Sequence, residues 1–310
     1  VLNFSMSAQH SISRTQAWLE SLRPKTLPLG LIAIVTGSAL AYWTGHFELP
    51  IALLAILTAG TLQILSNLAN DYGDAVKGTD TEERLGPLRG MQKGVITPAQ
   101  MKKALIINVI ISCVSGIALI IVACKKPEDA IGFLVMGLLA IVAAITYTVG
   151  KRPYGYMGLG DISVLIFFGW LSVIGTYYLQ ANAFNIVTLL PATACGLLSV
   201  AVLNINNMRD LENDIQAGKN TLAVRLGASG SRIYHTCVIA IAIICLIVFT
   251  LIYMHRWTAW LFLLAVPMLL LHIKRVNADL SGEAMRPLLE HMVKAALLTN
   301  ILFSLGLVLE

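Results

Sequence analysis

Long apolar runs, each closed by a short polar segment, recur along the whole of this 310-residue chain. A helix of about 20 predominantly apolar residues, rising 1.5 Å per residue, crosses a hydrocarbon core of roughly 30 Å. Nine such runs are read, at about 27–45, 50–70, 102–124, 130–148, 161–180, 184–206, 233–254, 257–273 and 291–309. The pattern therefore predicts an all-α polytopic membrane bundle, a single transmembrane domain over residues 1–310. Residues 1–26 form its tail and an interfacial lead-in helix, with Trp18, Leu19 and Leu22 set among polar neighbours. The polar interruptions at 71–101 and 207–232 are the longest. A connection of such length calls for a functional explanation, and both are read as active-site loops.

Composition supports the membrane reading. The chain is 57% hydrophobic and 13% charged, with a mean hydropathy of +0.76, far too apolar for a soluble domain of this size. Its start lacks the charged and apolar regions of a secretory signal, and Met6 reads as the native first residue. Net charge is +5, but its placement says more than its size. Of the 22 lysines and arginines, all but Lys125, Lys126 and Arg256 fall on alternate segments that share a side with the N-terminus. The positive-inside rule then predicts N-in and C-out. Basic residues spread over alternate loops form no stripe for nucleic acid, so no nucleic-acid partner is expected; the partner surface is the lipid bilayer. The five cysteines sit singly in or beside apolar spans and read as reduced packing residues. The six histidines show no ligand spacing, which argues against zinc.

Two polar clusters carry the candidate chemistry. Asn67, Asp71 and Asp74 close the second span, and Asn206, Asp210 and Asp214 close the sixth. On a helix the first trio falls at i, i+4 and i+7 and the second at i, i+4 and i+8, so each lies along one face. Both spans are even-numbered and end on the same side of the membrane, so the acids form a parallel repeat. Carboxylates and amide oxygens are hard donors suited to Mg2+, which is commonly shared between protein carboxylates and substrate phosphates. Arg89, Lys93, Lys151, Arg152 and Lys219 are candidates for the phosphate oxygens, with Arg225 serving either phosphate or the membrane surface. Arg23 is either a surface anchor or a site residue. Tyr147 and Tyr154 flank a basic turn, and Tyr154 and Tyr156 are equally accounted for by an interfacial aromatic belt. Acids and bases over an apolar bundle describe a site for a diphosphate head on a greasy tail. A cation-coupled transporter would hold its acids near the bilayer midplane, whereas these lie at helix ends.

On these motifs the chain resembles the intramembrane aromatic prenyltransferases, the superfamily typified by 4-hydroxybenzoate polyprenyltransferase. Its marks are an NxxxD-type motif after helix 2 and a DxxxD motif after helix 6, matched here by Asn67 to Asp71 and Asp210 to Asp214. Ala75 stands where the fuller NxxxDxxxD form has its second acid. Residues 67–74, 86–94 and 218–227 are similar to the menaquinone-pathway branch of that superfamily. The resemblance implies a nine-helix fold in a bacterial inner membrane with the active site facing the cytoplasm. It implies Mg2+ on Asp71, Asp74, Asp210 and Asp214, with Asn67 and Asn206 as oxygen ligands or orienters. The implied substrates are a polyprenyl diphosphate and 1,4-dihydroxy-2-naphthoate, joined with loss of CO2 and diphosphate to give a demethylmenaquinol. Another acceptor, such as 4-hydroxybenzoate, is the alternative. Tyr147 and Tyr154 would line the path of an allylic cation, and either Arg23 or Lys151 would hold the acceptor carboxylate.

Overall fold

The structure is a computed structural model and describes residues 13–77, 90–278 and 280–310. Among these residues there are helices and turns and no strand. In chain order the helices are α1 (Arg14–Leu22), α2 (Leu27–Trp43), α3 (Leu49–Lys77), α4 (Pro98–Ala123) and α5 (Pro127–Thr146). They continue as α6 (Gly160–Ala181), α7 (Leu189–Arg209), α8 (Leu211–Gln216), α9 (Leu222–Tyr253), α10 (Val266–Val276) and α11 (Arg286–Leu309). A 3-10 segment, Trp257–Ala265, leads into α10, so that stretch spans Trp257–Val276.

Eight of these stretches are long and apolar enough to cross a membrane, and α1 with α2, bent by 44°, makes a ninth when taken as one. The count agrees with the hydropathy pattern, and the chain is a multi-pass membrane protein. Its outer surface fits lipid: Ile121, Leu251 and Leu264 are 75%, 67% and 70% exposed, and α5 buries no residue at all. Such surface has no place in water but costs nothing against acyl chains.

Two helix ends differ from the sequence expectation. Hydropathy ends the second span near residue 70, yet α3 runs on to Lys77 because backbone hydrogen bonding continues through a polar turn that hydropathy discounts. Asp71 and Asp74 thus sit on a helix and not in a loop. The 207–232 segment is also largely helical: α7 reaches Arg209, α8 follows at once, and α9 begins at Leu222. Thr221 caps α9 by accepting from the Val224 amide at 3.4 Å. Gly227 then breaks its first turn from the rest at φ 69° and ψ 177°, a conformation that suits glycine.

At the centre stands α7. It buries Ala192, Ala194, Cys195, Leu198, Ala201 and Ile205 against α2, α9 and α11, with Leu40, Ile239, Phe249, Met292 and Phe303 as the larger partners. Small residues let these helices approach, and side chains bonded to backbone carbonyls tie others together. Asn108 of α4 donates to Thr61 O of α3 at 2.9 Å, and Gln63 of α3 donates to Thr26 O at 3.0 Å. Helix spacing brings together groups that the sequence scatters: His235 of α9 lies 3.2 Å from Asn204 Oδ1 and 3.0 Å from the His272 ring, which stacks on His291. No group of three metal-binding side chains occurs among the described residues. The five cysteines are free thiols.

Candidate active site

Three polar segments meet at one end of the bundle, and α3 sets the first of them. Gly73, between Asp71 and Asp74, has no side chain because a Cβ there would stand 2.8–2.9 Å from Thr148, partly against its backbone. The close approach lets Thr148 donate its hydroxyl to Asn70 Oδ1, which pins the last turns of α3 to the exit of α5. Asn67 gives its amide N–H to Leu22 O at 3.0 Å, so the carbonyl oxygen is the atom it presents elsewhere.

The second segment, residues 147–161, is held between the other two. Its 3-10 turn Tyr154–Met157 docks on the 219–225 stretch, with the Asn220 amide on Tyr156 O at 2.9 Å and Arg225 on Met157 O at 2.6 Å. These contacts aim Tyr156 at α3, where its hydroxyl donates to Asp74. Lys77 and Lys219 each lie 4.7 Å from the Tyr156 ring centroid, a cation–π arrangement on both counts. Tyr147 and Tyr154 pack edge to face at 5.2 Å, and Tyr154 donates to Ala143 O at 2.9 Å. Burial raises both phenols above their ordinary pKa, and Asp161 raises that of Tyr147 further. Tyr147 thus stays neutral.

The third segment follows α7. The chain leaves the helix at Asp210 (φ −92°, ψ 11°), so Asn206, Asp210 and Asp214 do not share one continuous helical face as the spacing predicts. A buried arginine organises them instead. Arg209 holds both carboxylate oxygens of Asp210, at 2.7 and 2.6 Å, and Asn206 Oδ1 at 2.9 Å. Lys219 joins the two acid clusters, lying 3.4 Å from Asp74 Oδ1 and 3.9 Å from Asp214 Oδ1. From the other flank Arg23 reaches Asp71 Oδ1 at 3.0 Å. It caps α1 in the left-handed region at φ 53°, where a side-chain-bearing residue costs about 1–2 kcal/mol, and that turn carries its guanidinium to α3.

All four aspartates are buried, at 1–8% exposure, at helix ends, and it is their neighbours Asn67, Asn70, Asn206 and Arg209, not the aspartates themselves, that line the open cavity beside them. The four carboxylates and two amide oxygens are hard donors of the kind Mg2+ takes, but here the acids are held by Arg23, Arg209 and Lys219, and no three of them are drawn together at one point among the described residues. The cavity, about 1220 Å3, has Asn67, Asn70, Asn206 and Arg209 in its polar wall and runs between α2, α3, α4, α5, α6 and α11. In α6 the residues Leu165–Ile174 are wound as a π-helix, with Ser172 donating to Phe167 O at 2.5 Å; Phe167, Phe168 and Leu171 line the cavity there. Among α3 residues the lining runs from Asn70 back to Ala55, about 22 Å at 1.5 Å per residue.

The fold gathers Arg23, Asn67, Asp71, Asp74, Tyr147, Tyr154, Asn206, Asp210, Asp214 and Lys219 around this centre. It does not gather every basic candidate. Lys93 pairs with Glu20 of α1 at 3.1 Å, and Lys151 and Arg152 are exposed on the turn after α5, off the cavity wall. Arg89 lies outside the described residues. Sequence reasoning passed over Arg209, which reads there as one more positive-inside charge. It gave Tyr156 no more than an interfacial role, since its contact with Asp74 is set by two loops far apart in the chain.

A helical membrane bundle that joins two acidic helix ends over a long apolar cavity defines a class of protein that handles a charged head on a lipid tail. The chain belongs to the UbiA prenyltransferase family, whose model matches residues 30–300. It is 62% identical over 302 residues to the 1,4-dihydroxy-2-naphthoate octaprenyltransferase of Escherichia coli (strain K12), covering 97% of this chain and 98% of that protein. It is 53% identical to the protein of the same name from Haemophilus influenzae, covering 96% and 97%. Among solved structures it resembles a UbiA homolog from Archaeoglobus fulgidus bound to GPP and Mg2+, with a TM-score of 0.62, 16% identity and coverage of 93% and 99%. The apo structure of a UbiA homolog from Aeropyrum pernix K1 gives a TM-score of 0.67 at 15% identity, covering 96% and 98%. At these identities the two structures speak for the fold.

Proposed function

We propose that this protein transfers a polyprenyl group from its diphosphate to 1,4-dihydroxy-2-naphthoate, releasing CO2 and diphosphate and yielding a demethylmenaquinol. The observation that carries the acceptor is the 62% identity, over 97% of the chain, to a relative with that name. The joined acid clusters above an apolar cavity support the diphosphate half of the reading. A chain of eight prenyl units, as in the relatives' names, is longer than the α3 wall of the cavity, so its distal units extend beyond that wall.

In this reading Asp71, Asp74, Asp210 and Asp214 hold Mg2+, with Asn67 and Asn206 as further oxygen donors. Bound there, the metal neutralises charge on the departing diphosphate. Lys219 and Arg23, already beside these acids, bind phosphate oxygens, and Arg209, on the cavity wall, would offer its guanidinium to the same oxygens. The allylic C–O bond breaks with its electrons leaving on the diphosphate. Tyr147 and Tyr154 face the resulting cation with their rings and exclude water from it. The ring carbon bearing the carboxylate attacks, a C–C bond forms, and the bond to the carboxylate then breaks so that its electrons restore the aromatic ring and CO2 departs. Donor and acceptor keep their oxidation levels, so no redox partner is required. The charge bias of the loops supports a site facing the cytoplasm of a bacterial inner membrane.

An acceptor screen with purified protein, Mg2+ and a polyprenyl diphosphate in lipid tests the proposal. Product from dihydroxynaphthoate with one CO2 released per prenyl group is expected. Prenylation of 4-hydroxybenzoate alone would overturn the acceptor assignment, and failure with every aromatic acceptor would overturn the reaction.

A further inference from the structure

We infer that Lys294 of α11 receives the ring carboxylate of the acceptor, an inference that rests on the acceptor class proposed above. One face of α11 borders the cavity: Arg286, Leu289, Glu290, Val293, Lys294 and Leu297 recur at spacings of three and four. Lys294 stands two turns, about 12 Å, further along the helix than Arg286. Beyond it the α11 lining is apolar, beginning with Leu297.

Among the described residues five cationic side chains line the cavity, and four of them pair with carboxylates. Arg23 is held by Asp71 at 3.0 Å, Lys25 by Glu290 at 2.5 Å, Arg209 by Asp210 at 2.6 Å and Arg286 by Glu283 at 2.9 Å. Lys294 alone of the five forms no ion pair among the described residues. Glu290, one turn before it on the same face, is paired with Lys25 and also lies within electrostatic reach of Lys294, without forming an ion pair with it. An acceptor made of two fused rings and one carboxylate needs an apolar wall with a single unspent cation beside it. Leu289, Val293 and Leu297 supply the wall and Lys294 the cation. The aspartates at the ends of α3 and α7 repel a second anion, which turns the carboxylate edge toward α11. Lys294 is a binding and positioning residue in this scheme, selecting carboxylated rings over neutral ones.

The test uses the full chain in zwitterionic lipid with Mg2+ and polyprenyl diphosphate. Lys294→Gln is expected to raise the acceptor KM about tenfold, the loss of one charge-assisted contact at an accessible site, while the diphosphate KM stays at the wild-type value. Lys294→Arg is expected to restore most of the acceptor KM. Independently, fluorescence titration of the diphosphate-free protein should show weaker binding of 1-hydroxy-2-naphthoate to Lys294→Gln and unchanged binding of 1-naphthol. An unchanged acceptor KM in Lys294→Gln, with wild type active on dihydroxynaphthoate, would overturn the Lys294 assignment alone and leave the side chain as a headgroup anchor. An equal rise in both KM values would overturn it too, by showing general damage. Wild-type inactivity on dihydroxynaphthoate would overturn the acceptor reading and this inference with it.

Discussion

Replacing Lys219 by methionine keeps most of the unbranched side chain and removes its charged end, which gives the joined acid clusters their most informative perturbation. The Lys219 ammonium lies 3.4 Å from Asp74 Oδ1 and 3.9 Å from Asp214 Oδ1, with 15% of its side chain exposed. At an effective dielectric of about 20 these separations correspond to attractions of roughly 5 and 4 kcal/mol before desolvation. Most of that is cancelled by taking the charges out of water, but removing one partner of a buried pair leaves the other uncompensated, at a net cost of about 3–5 kcal/mol. Lys219→Met is therefore expected to be less stable than wild type without metal. Mg2+ should then restore more stability to the variant than to wild type, because the two aspartates no longer share their oxygens with an ammonium. Diphosphate binding should move the opposite way. Loss of a charge-assisted contact of about 1.5–3 kcal/mol weakens affinity for an unreactive prenyl thiodiphosphate about 10- to 150-fold. Thermal melts with and without Mg2+, and a thiodiphosphate titration at saturating Mg2+, read the two effects. An unchanged thiodiphosphate affinity would refute the phosphate role of Lys219. A melt unmoved by Mg2+ in both proteins would refute the metal site.

Other expectations follow from the same geometry. Asp71→Ala and Asp210→Ala should each lower kcat about 100- to 1000-fold at saturating Mg2+, as for removal of a group that stabilises transition-state charge; near-normal turnover in both would dismantle the two-cluster arrangement. Gly73→Ala places a Cβ 2.8–2.9 Å from Thr148 and should cost about 1–3 kcal/mol in stability along with a fall in kcat, since α3 must move away from the segment that carries Tyr156; melting temperature and turnover check it. Tyr156→Phe removes the donor to Asp74 and should reduce kcat/KM about tenfold or more while the protein stays folded. A topology reporter fused after Glu310 should be active only outside the cytoplasm, and cytoplasmic activity would contradict the N-in, C-out orientation.

Some of this protein was legible from its residues alone. The apolar runs read as crossings, eight outright among the described residues and a ninth when α1 and α2 are taken together, because a bilayer fixes the length of a span and forbids unpaired backbone within it. The NxxxD and DxxxD motifs also stand out, since buried carboxylates at span ends are too costly to be incidental. Their pairing on one side follows from the parity of the spans. Where the polar segments begin was not legible: hydropathy scores side chains, whereas the ends of α3 and the start of α9 are set by backbone hydrogen bonding and by Gly227.

The wiring of the site belongs to tertiary structure. Lys219 and Lys93 look alike in sequence, as basic residues in polar loops, but one bridges Asp74 and Asp214 and the other pairs with Glu20. Lys151 and Arg152 have the composition of a phosphate clamp and stand exposed on a turn. Arg209 gives no local sign of its hold on Asp210 and Asn206, and Tyr156 reaches Asp74 only because residues 219–225 dock on the turn that carries it. Local sequence encodes which residues can be charged, buried or helical, because those properties depend on neighbours within a few positions. Which charge meets which depends on contacts between distant segments, 145 positions apart for Lys219 and Asp74 and 265 for Lys25 and Glu290, and only the packed bundle decides them.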